Sequence, residues 1–217
     1  MQIHPLNNTT FKSRNKTIRF ADDIARRVNQ CYPRISPTKV LSFKNANKFK
    51  KFLEDITSIT NNSLRFFKGE MYDCTESFYD KIKAFTSPVK HYKLGNCGES
   101  AQLAAIVAKT NGIKDCHLAH LCDANGEDLD HAVLFVNDKK PYIIDSWLGI
   151  ADYVPNMINR YKNEYYDIFE LEKDDAITFA SFSDDEYTDF LKNDFSRKQI
   201  NKLKKIYPNL FIKRGYI

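Results

Sequence analysis

Three side chains of this 217-residue chain are of types that do chemistry together: Cys97, His131 and Asp145. Cys97 opens the stretch CGESAQLAAIVAKT, flanked by Gly95 and Gly98, and almost everything after Glu99 is apolar as far as Asn111-Gly112. A thiol is a poor nucleophile until its thiolate is stabilised, and a helix N-terminus does this with the positive end of its dipole and its unpaired N–H groups. Gly95 and Gly98 leave room for a substrate backbone, and Glu99 falls in the first turn, where an acid suits the dipole. The helix alone leaves two readings open: an activated nucleophile, or a small buried residue beside a turn.

The hairpin downstream decides between them. His131 opens HAVLFV and Asp145 lies in PYIIDSW, two apolar runs joined by the polar NDKK, a pattern that predicts an antiparallel pair. A histidine starting one strand and an aspartate near the end of its neighbour can stand side by side. The carboxylate then holds the imidazole in the tautomer that offers its other nitrogen to the thiol. Taken singly, His131 reads as a satisfied core histidine and Asp145 as a turn residue. Together with a helix-start cysteine they form a nucleophile, base and orienter in the order Cys, His, Asp.

The elements that must position them follow from periodicity. FADDIARRVNQ, with Phe20, Ile24 and Val28 four apart, predicts a short helix over 20–30, preceded by a flexible tail over 1–19. NANKFKKFLEDITSIT predicts an amphipathic helix over 45–60, and a third helix is expected from Thr75 to Phe85. Gly98 to Thr110 reads as a helix buried nearly all round, stopped by Asn111 and Gly112. DCHLAHLC alternates as a strand over 115–122, with Cys116, Leu118, His120 and Cys122 on one face and His117, Ala119 and Leu121 on the other. Asn125-Gly126 marks a turn. Further strands are expected at 165–171 and 176–182, and two charged helices close the chain, the second capped by Ser196. Helices first, strands next and helices last argue for an α+β domain over 20–217 rather than βαβ units.

With these motifs in place, GNCGESAQLAAIVAKTNGI, DHAVLFV and YIIDSWLG resemble the catalytic core of the transglutaminase-like branch of the papain-like cysteine enzymes, over residues 93–150. The resemblance implies a papain-like or transglutaminase-like α+β core: a buried helix starting at the nucleophile, packed on an antiparallel sheet, with extra helices at both ends. It implies Cys97 as nucleophile, His131 as general base and acid, Asp145 as orienting carboxylate and Trp147 as a wall of the site. The backbone N–H of Cys97 is the first candidate oxyanion donor, Asn96 or a polar side chain from 66–93 such as Tyr92 is a candidate for the second, and Gly98 leaves room for the substrate. The implied reactions pass through a thioester on a protein or peptide amide, as thiol protease or glutamine deamidase/transglutaminase, including effector or toxin domains; no cofactor is required. Arylamine N-acetyltransferases share the Cys-x-Glu, His and Asp pattern, but the Arg-Gly-Gly run that precedes their cysteine is missing here. A protein-binding module with a relic triad is the non-catalytic alternative.

Composition bounds the remaining classes. Cys31, Cys74, Cys97, Cys116 and Cys122 are odd in number and widely spaced, so reduced thiols are expected. No apolar run approaches bilayer-spanning length, and the N-terminus has no apolar signal core; a soluble chain is expected, cytoplasmic or exported to a target cell by a route that reads other signals. The net charge of +5 hides an asymmetry: residues 97–170 hold six Lys+Arg against twelve Asp+Glu, while 1–96 hold eighteen against eight. Lys48, Lys50 and Lys51 read as the solvated face of a helix, and with no nucleic-acid motif beside them no nucleic-acid partner is expected. Cys116, His117, His120 and Cys122 are metal-binding types at the wrong spacing for a zinc knuckle, and read as a structural strand. His4 and His91 read as incidental, His91 being near enough to Cys97 in sequence for a backup base.

Overall fold

The computed structural model describes residues 16–31, 77–87, 95–169, 171, 174–181, 191 and 193–208. The helix expected over 45–60, the first closing helix over most of its length, Tyr92 and His91 lie outside them. The chain order is α1 (Lys16–Cys31), α2 (Phe78–Ser87), α3 (Cys97–Thr110), β1 (Cys116–Cys122), β2 (Asp128–Val136), β3 (Tyr142–Asp145), β4 (Ile150–Tyr153), α4 (Val154–Glu164), α5 (Tyr166–Phe169), β5 (Thr178–Ser181) and α6 (Arg197–Ile206). The strands form one antiparallel five-stranded sheet in the order β4-β3-β2-β1-β5, so the fold is α+β.

Both faces of the sheet are covered, which is why HAVLFV and YII read as unbroken apolar runs rather than as alternating ones. One face sends Leu118, Ala132, Leu134, Val136 and Ile144 into a core shared with α1, α2, α3 and α6. The other sends Ala119, Leu121, Val133, Ile143 and Ile150 against Met157 and Tyr161 of α4 and Phe169 of α5. The alternation read in β1 therefore holds: Cys116 and Leu118 enter the first core, Ala119 and Leu121 the second.

Helix α3 is buried from Glu99 through Thr110. Its start is held by reciprocal bonds: the Asn96 N–H donates to Glu99 Oε2 at 2.8 Å, and the Asn96 carbonyl accepts from the Ser100 N–H at 3.2 Å and Ser100 Oγ at 2.8 Å. Its end is a Schellman stop, with Gly112 at φ +93° donating to the Lys109 carbonyl and Ile113 to the Ala108 carbonyl. α6 has Ser196 as its N-cap, accepting from the Gln199 N–H at 3.3 Å while Gln199 Oε1 accepts from the Ser196 N–H at 2.8 Å.

Three expectations need correction. α1 starts at Lys16 rather than within a tail ending at 19, because Ile18 is 2% exposed and extends the buried stripe of Ala21, Ile24, Ala25 and Val28 by one turn. α2 is shifted from 75–85 to Phe78–Ser87, where the Ser77 hydroxyl accepts from the Asp80 N–H at 3.3 Å and caps it. The strand expected at 165–171 is the single turn α5: the Tyr165 carbonyl accepts from Ile168 and Phe169, which sends Phe169 into the second core. Strand β5 at Thr178–Ser181 agrees with the second of the two strands expected there. β4 and α4 are additions to the expected elements, α4 burying Met157 and Tyr161 from an apolar stripe at helical spacing.

α1 also buttresses the turn after β3. Asn29 Nδ2 donates to the Ser146 carbonyl at 3.2 Å and the Trp147 carbonyl at 2.8 Å, and Asp22 Oδ1 accepts from the Ala151 N–H at 3.3 Å. Gly149 ends this turn at φ +78°, where an added Cβ would stand 3.3 Å from Asn29 Cγ, so both the left-handed backbone and the close approach call for glycine. Among the described residues no helix is long and apolar enough to cross a membrane.

Candidate active site

The register of the β2–β3 hairpin places Leu134 opposite Ile144, Phe135 opposite Ile143 and Val136 opposite Tyr142. Continued along β2, the same register sets His131 two residues from the position facing Asp145, on the same face. Such a diagonal pair is within reach of a long side chain. His131 Nε2 meets Asp145 Oδ2 at 2.7 Å, with His131 2% and Asp145 0% exposed.

Asp145 is saturated with donors. Its Oδ2 also accepts from the Tyr161 hydroxyl at 3.0 Å, and its Oδ1 accepts from the backbone N–H groups of Trp147 at 3.1 Å and Leu148 at 2.9 Å. A buried carboxylate without such partners would be costly to keep charged. Burial pushes the Asp145 carboxyl up, but the charge and hydrogen bond of His131, with the Leu148 N–H and the Tyr161 hydroxyl, hold it below the usual carboxylate range. Burial likewise opposes the charged form of His131, yet the Asp145 carboxylate, by charge and by hydrogen bond, and then the side chain of Cys97, raise the ring to about 10. Burial, and then the charge of Asp145, raise Tyr161 well above its ordinary value, so it remains a donor.

With Nε2 committed to Asp145, Nδ1 is the nitrogen left to face the thiol. Cys97 is half-buried at the first residue of α3, and its Sγ lies 3.7 Å from the Asp130 carbonyl. That carbonyl is aimed by an irregularity in β2: Leu121 pairs with His131 but Cys122 pairs with Asp128, so Leu129 and Asp130 bulge out, and Asp130 takes φ +52°. Bulges of this kind re-aim side chains beside functional sites. The His131 ring is boxed by aromatics, with ring centroids 4.7 Å from Phe169, 5.3 Å from Trp147 and 6.1 Å from Tyr161.

Cys97, Leu129, Asp130, His131, Trp147, Ile168 and Phe169 line a cleft of about 280 Å³. Cys97 packs on the first core, whereas Leu129, Ile168 and Phe169 pack on the second, so the cleft opens where the two layers meet at the sheet's end. Of the residues singled out from sequence, Cys97, His131 and Trp147 line this cleft, and Asp145 stands behind His131. Asn96 and Gly98 flank the thiol along the chain without lining the cleft, and no described atom lies within 4 Å of a Cβ placed on Gly98. Tyr92 lies outside the described residues. In β1, His117 stacks on Phe135 and His120 Nδ1 pairs with Asp128 Oδ2 at 2.7 Å. Among the described residues no group of three or more His, Cys, Asp or Glu side chains is arranged to hold a metal ion.

Tyr161, Ser146 and Asp130 carry no sequence signal for the site. Tyr161 needs α4 docked under the sheet, Asp130 needs the bulge, and Ser146 Oγ donates to the Ser100 carbonyl at 2.7 Å, tying the turn after Asp145 to the first turn of α3. In class, then, the chain is an α+β domain whose sheet end brings a helix-start thiol, a buried imidazole and a buried carboxylate to one cleft. Compared with known proteins, the chain matches no family model, no curated protein and no solved structure.

The buried pair imposes a pH dependence on stability. His131 binds its proton more tightly folded than unfolded, so its contribution is complete below its ordinary 6.5 and is lost as pH rises through about 10. Asp145 behaves in reverse: its contribution is present above its ordinary 3.8 and is lost as pH falls below that. Urea midpoints are expected to peak between these two ordinary values and to decline on the alkaline side. In His131→Gln protein the alkaline decline attributable to the ring should vanish, which midpoints measured from pH 5 to about 10 would reveal.

Proposed function

We propose that this chain is a cysteine-dependent acyl-transfer enzyme with a papain-like or transglutaminase-like core, acting through a thioester on a protein or peptide amide. The observation that carries the reading is the 2.7 Å contact between buried His131 Nε2 and Asp145 Oδ2, with the half-buried Cys97 thiol lining the same cleft as the imidazole. A structural histidine needs only a partner; this one has a carboxylate partner and also lines a cleft with a thiol.

In the reaction, His131 Nδ1 takes the thiol proton and Cys97 Sγ attacks the substrate carbonyl carbon. The resulting oxyanion is met by the Cys97 N–H at the start of α3, and such a donor contributes about 3 kcal/mol. His131 then returns the proton to the leaving nitrogen, the C–N bond breaks, and a thioester joins substrate to Cys97. Water or an amine, deprotonated by His131, attacks that thioester and regenerates the thiol. Asp145 keeps the ring oriented and balances its charge throughout, and Trp147 and Phe169 exclude water from the ring. No cofactor enters any step.

The test is intact-mass spectrometry of candidate proteins and peptides incubated with the enzyme. A gain of about one dalton marks deamidation, fragments mark proteolysis and an amine adduct marks transglutamination, each passing through the same thioester. Any of these products, lost in Cys97→Ala protein, supports the proposal. Products that persist in Cys97→Ala protein contradict it.

A further inference from the structure

Resting on that reading, the substrate class is addressed by one residue that the mechanism leaves unused. Asp130 lines the cleft, is exposed, and immediately precedes His131. Its backbone is fixed on three counts. The left-handed φ of +52° is a conformation that Asp and Asn tolerate better than other side chains with a Cβ. Its N–H donates to Asp128 Oδ1 at 2.9 Å, and its carbonyl stands 3.7 Å from Cys97 Sγ. The residue that bears the carboxylate is therefore fixed beside the reacting sulfur by its backbone. Among the described residues the rest of the lining is Leu129, Trp147, Ile168 and Phe169, all without charge, together with Cys97 and His131 of the proposed machinery, and no described lysine or arginine lines the cleft.

We infer that Asp130 makes this cleft select substrates carrying a positive charge, an ammonium or guanidinium group, close to the reacting carbonyl or on the attacking amine, with apolar surface around it. The thiolate, the imidazolium and the buried Asp145 carboxylate of the proposed triad sum to one negative charge, and the exposed Asp130 carboxylate adds a second at the mouth of the cleft, where no described lining residue offsets it. An acidic substrate meets this charge with no counter-charge among the described lining residues.

The test uses the full chain and three methanethiosulfonate probes of different charge: 2-aminoethyl (cationic), methyl (neutral) and 2-sulfonatoethyl (anionic). Each reacts with a thiolate to form a mixed disulfide and release methanesulfinate, and peptide mapping assigns the product to Cys97. With each variant's rates normalised to the neutral probe, the cation-to-anion rate ratio is compared between the unaltered chain and Asp130→Asn, a change the left-handed backbone accommodates. A unit charge roughly 6 Å away in a water-like medium alters the rate of a singly charged probe about threefold, so the ratio is expected to fall about tenfold in Asp130→Asn. In the unaltered chain it should also fall as salt rises from about 10 mM to about 0.5 M, as the Debye length shortens. Ratios within twofold of each other, or a ratio indifferent to salt, would overturn the inference. If the neutral probe modifies Cys97 no faster than in His131→Gln protein, the enzymatic reading itself falls and takes the substrate class with it.

Discussion

Asp145→Asn is expected to lower acyl transfer by about 10³- to 10⁴-fold while leaving the protein folded. Asparagine keeps an oxygen for the Trp147 and Leu148 N–H groups, which now bond Asp145 Oδ1. It then turns an NH₂ toward His131 Nε2 and the Tyr161 hydroxyl, where the aspartate offers an acceptor at 2.7 Å and 3.0 Å. To avoid donor against donor, the ring must carry its proton on Nδ1, the nitrogen that should receive the thiol proton. The nucleophile therefore loses its base although every heavy atom stays near its place. The cost to stability should be about 1–3 kcal/mol, that of weakened hydrogen bonds to a buried group. Single-turnover rates set beside urea midpoints separate the two effects: a rate loss no larger than the stability loss would make Asp145 structural.

Removing the ring tests the pair from the other side. His131→Ala would leave the fully buried Asp145 carboxylate without its counter-charge, a change that costs about 3–5 kcal/mol. It should also open a void among Phe169, Trp147 and Tyr161, whose rings surround the imidazole. His131→Gln keeps an amide donor for Asp145 and part of the volume, so it is the variant in which chemistry can be read in a folded protein. Acyl transfer should fall by about 10²- to 10⁴-fold, the usual contribution of a general base. An undiminished rate in folded His131→Gln would remove the imidazole from the mechanism.

Much of this geometry was legible in the residues because local pattern and tertiary structure agree there. The Asn111-Gly112 stop is local chemistry, and the φ of +93° at Gly112 is what a helix C-terminus asks of a glycine. The β2–β3 hairpin was legible because two apolar runs flank a short polar loop, and it alone brings His131 beside Asp145. What escaped depends on distant packing. Tyr161 lies on a helix whose Val154, Met157, Ile158 and Tyr161 follow helical spacing, but that spacing does not say that its hydroxyl meets Asp145, which happens only because the helix docks beneath the sheet. The Asp130 bulge arises from pairing with β1, not from the DLD sequence. The aromatic stretch 165–169 looks strand-like by composition, yet one helical turn is what carries Phe169 to the His131 ring. The buried extension of α1 to Ile18 was hidden by its basic, polar neighbours.

Whether Cys97 and His131 act on each other is measured by site-resolved alkylation, without a known substrate. Native protein treated with limiting iodoacetamide near neutral pH, then digested and mapped by mass spectrometry, reports the rate at each of the five cysteines. Cys97 should be modified well ahead of Cys31, Cys74, Cys116 and Cys122, and His131→Gln should remove this lead. Equal modification of the accessible thiols, or a Cys97 rate indifferent to His131, would contradict that interaction.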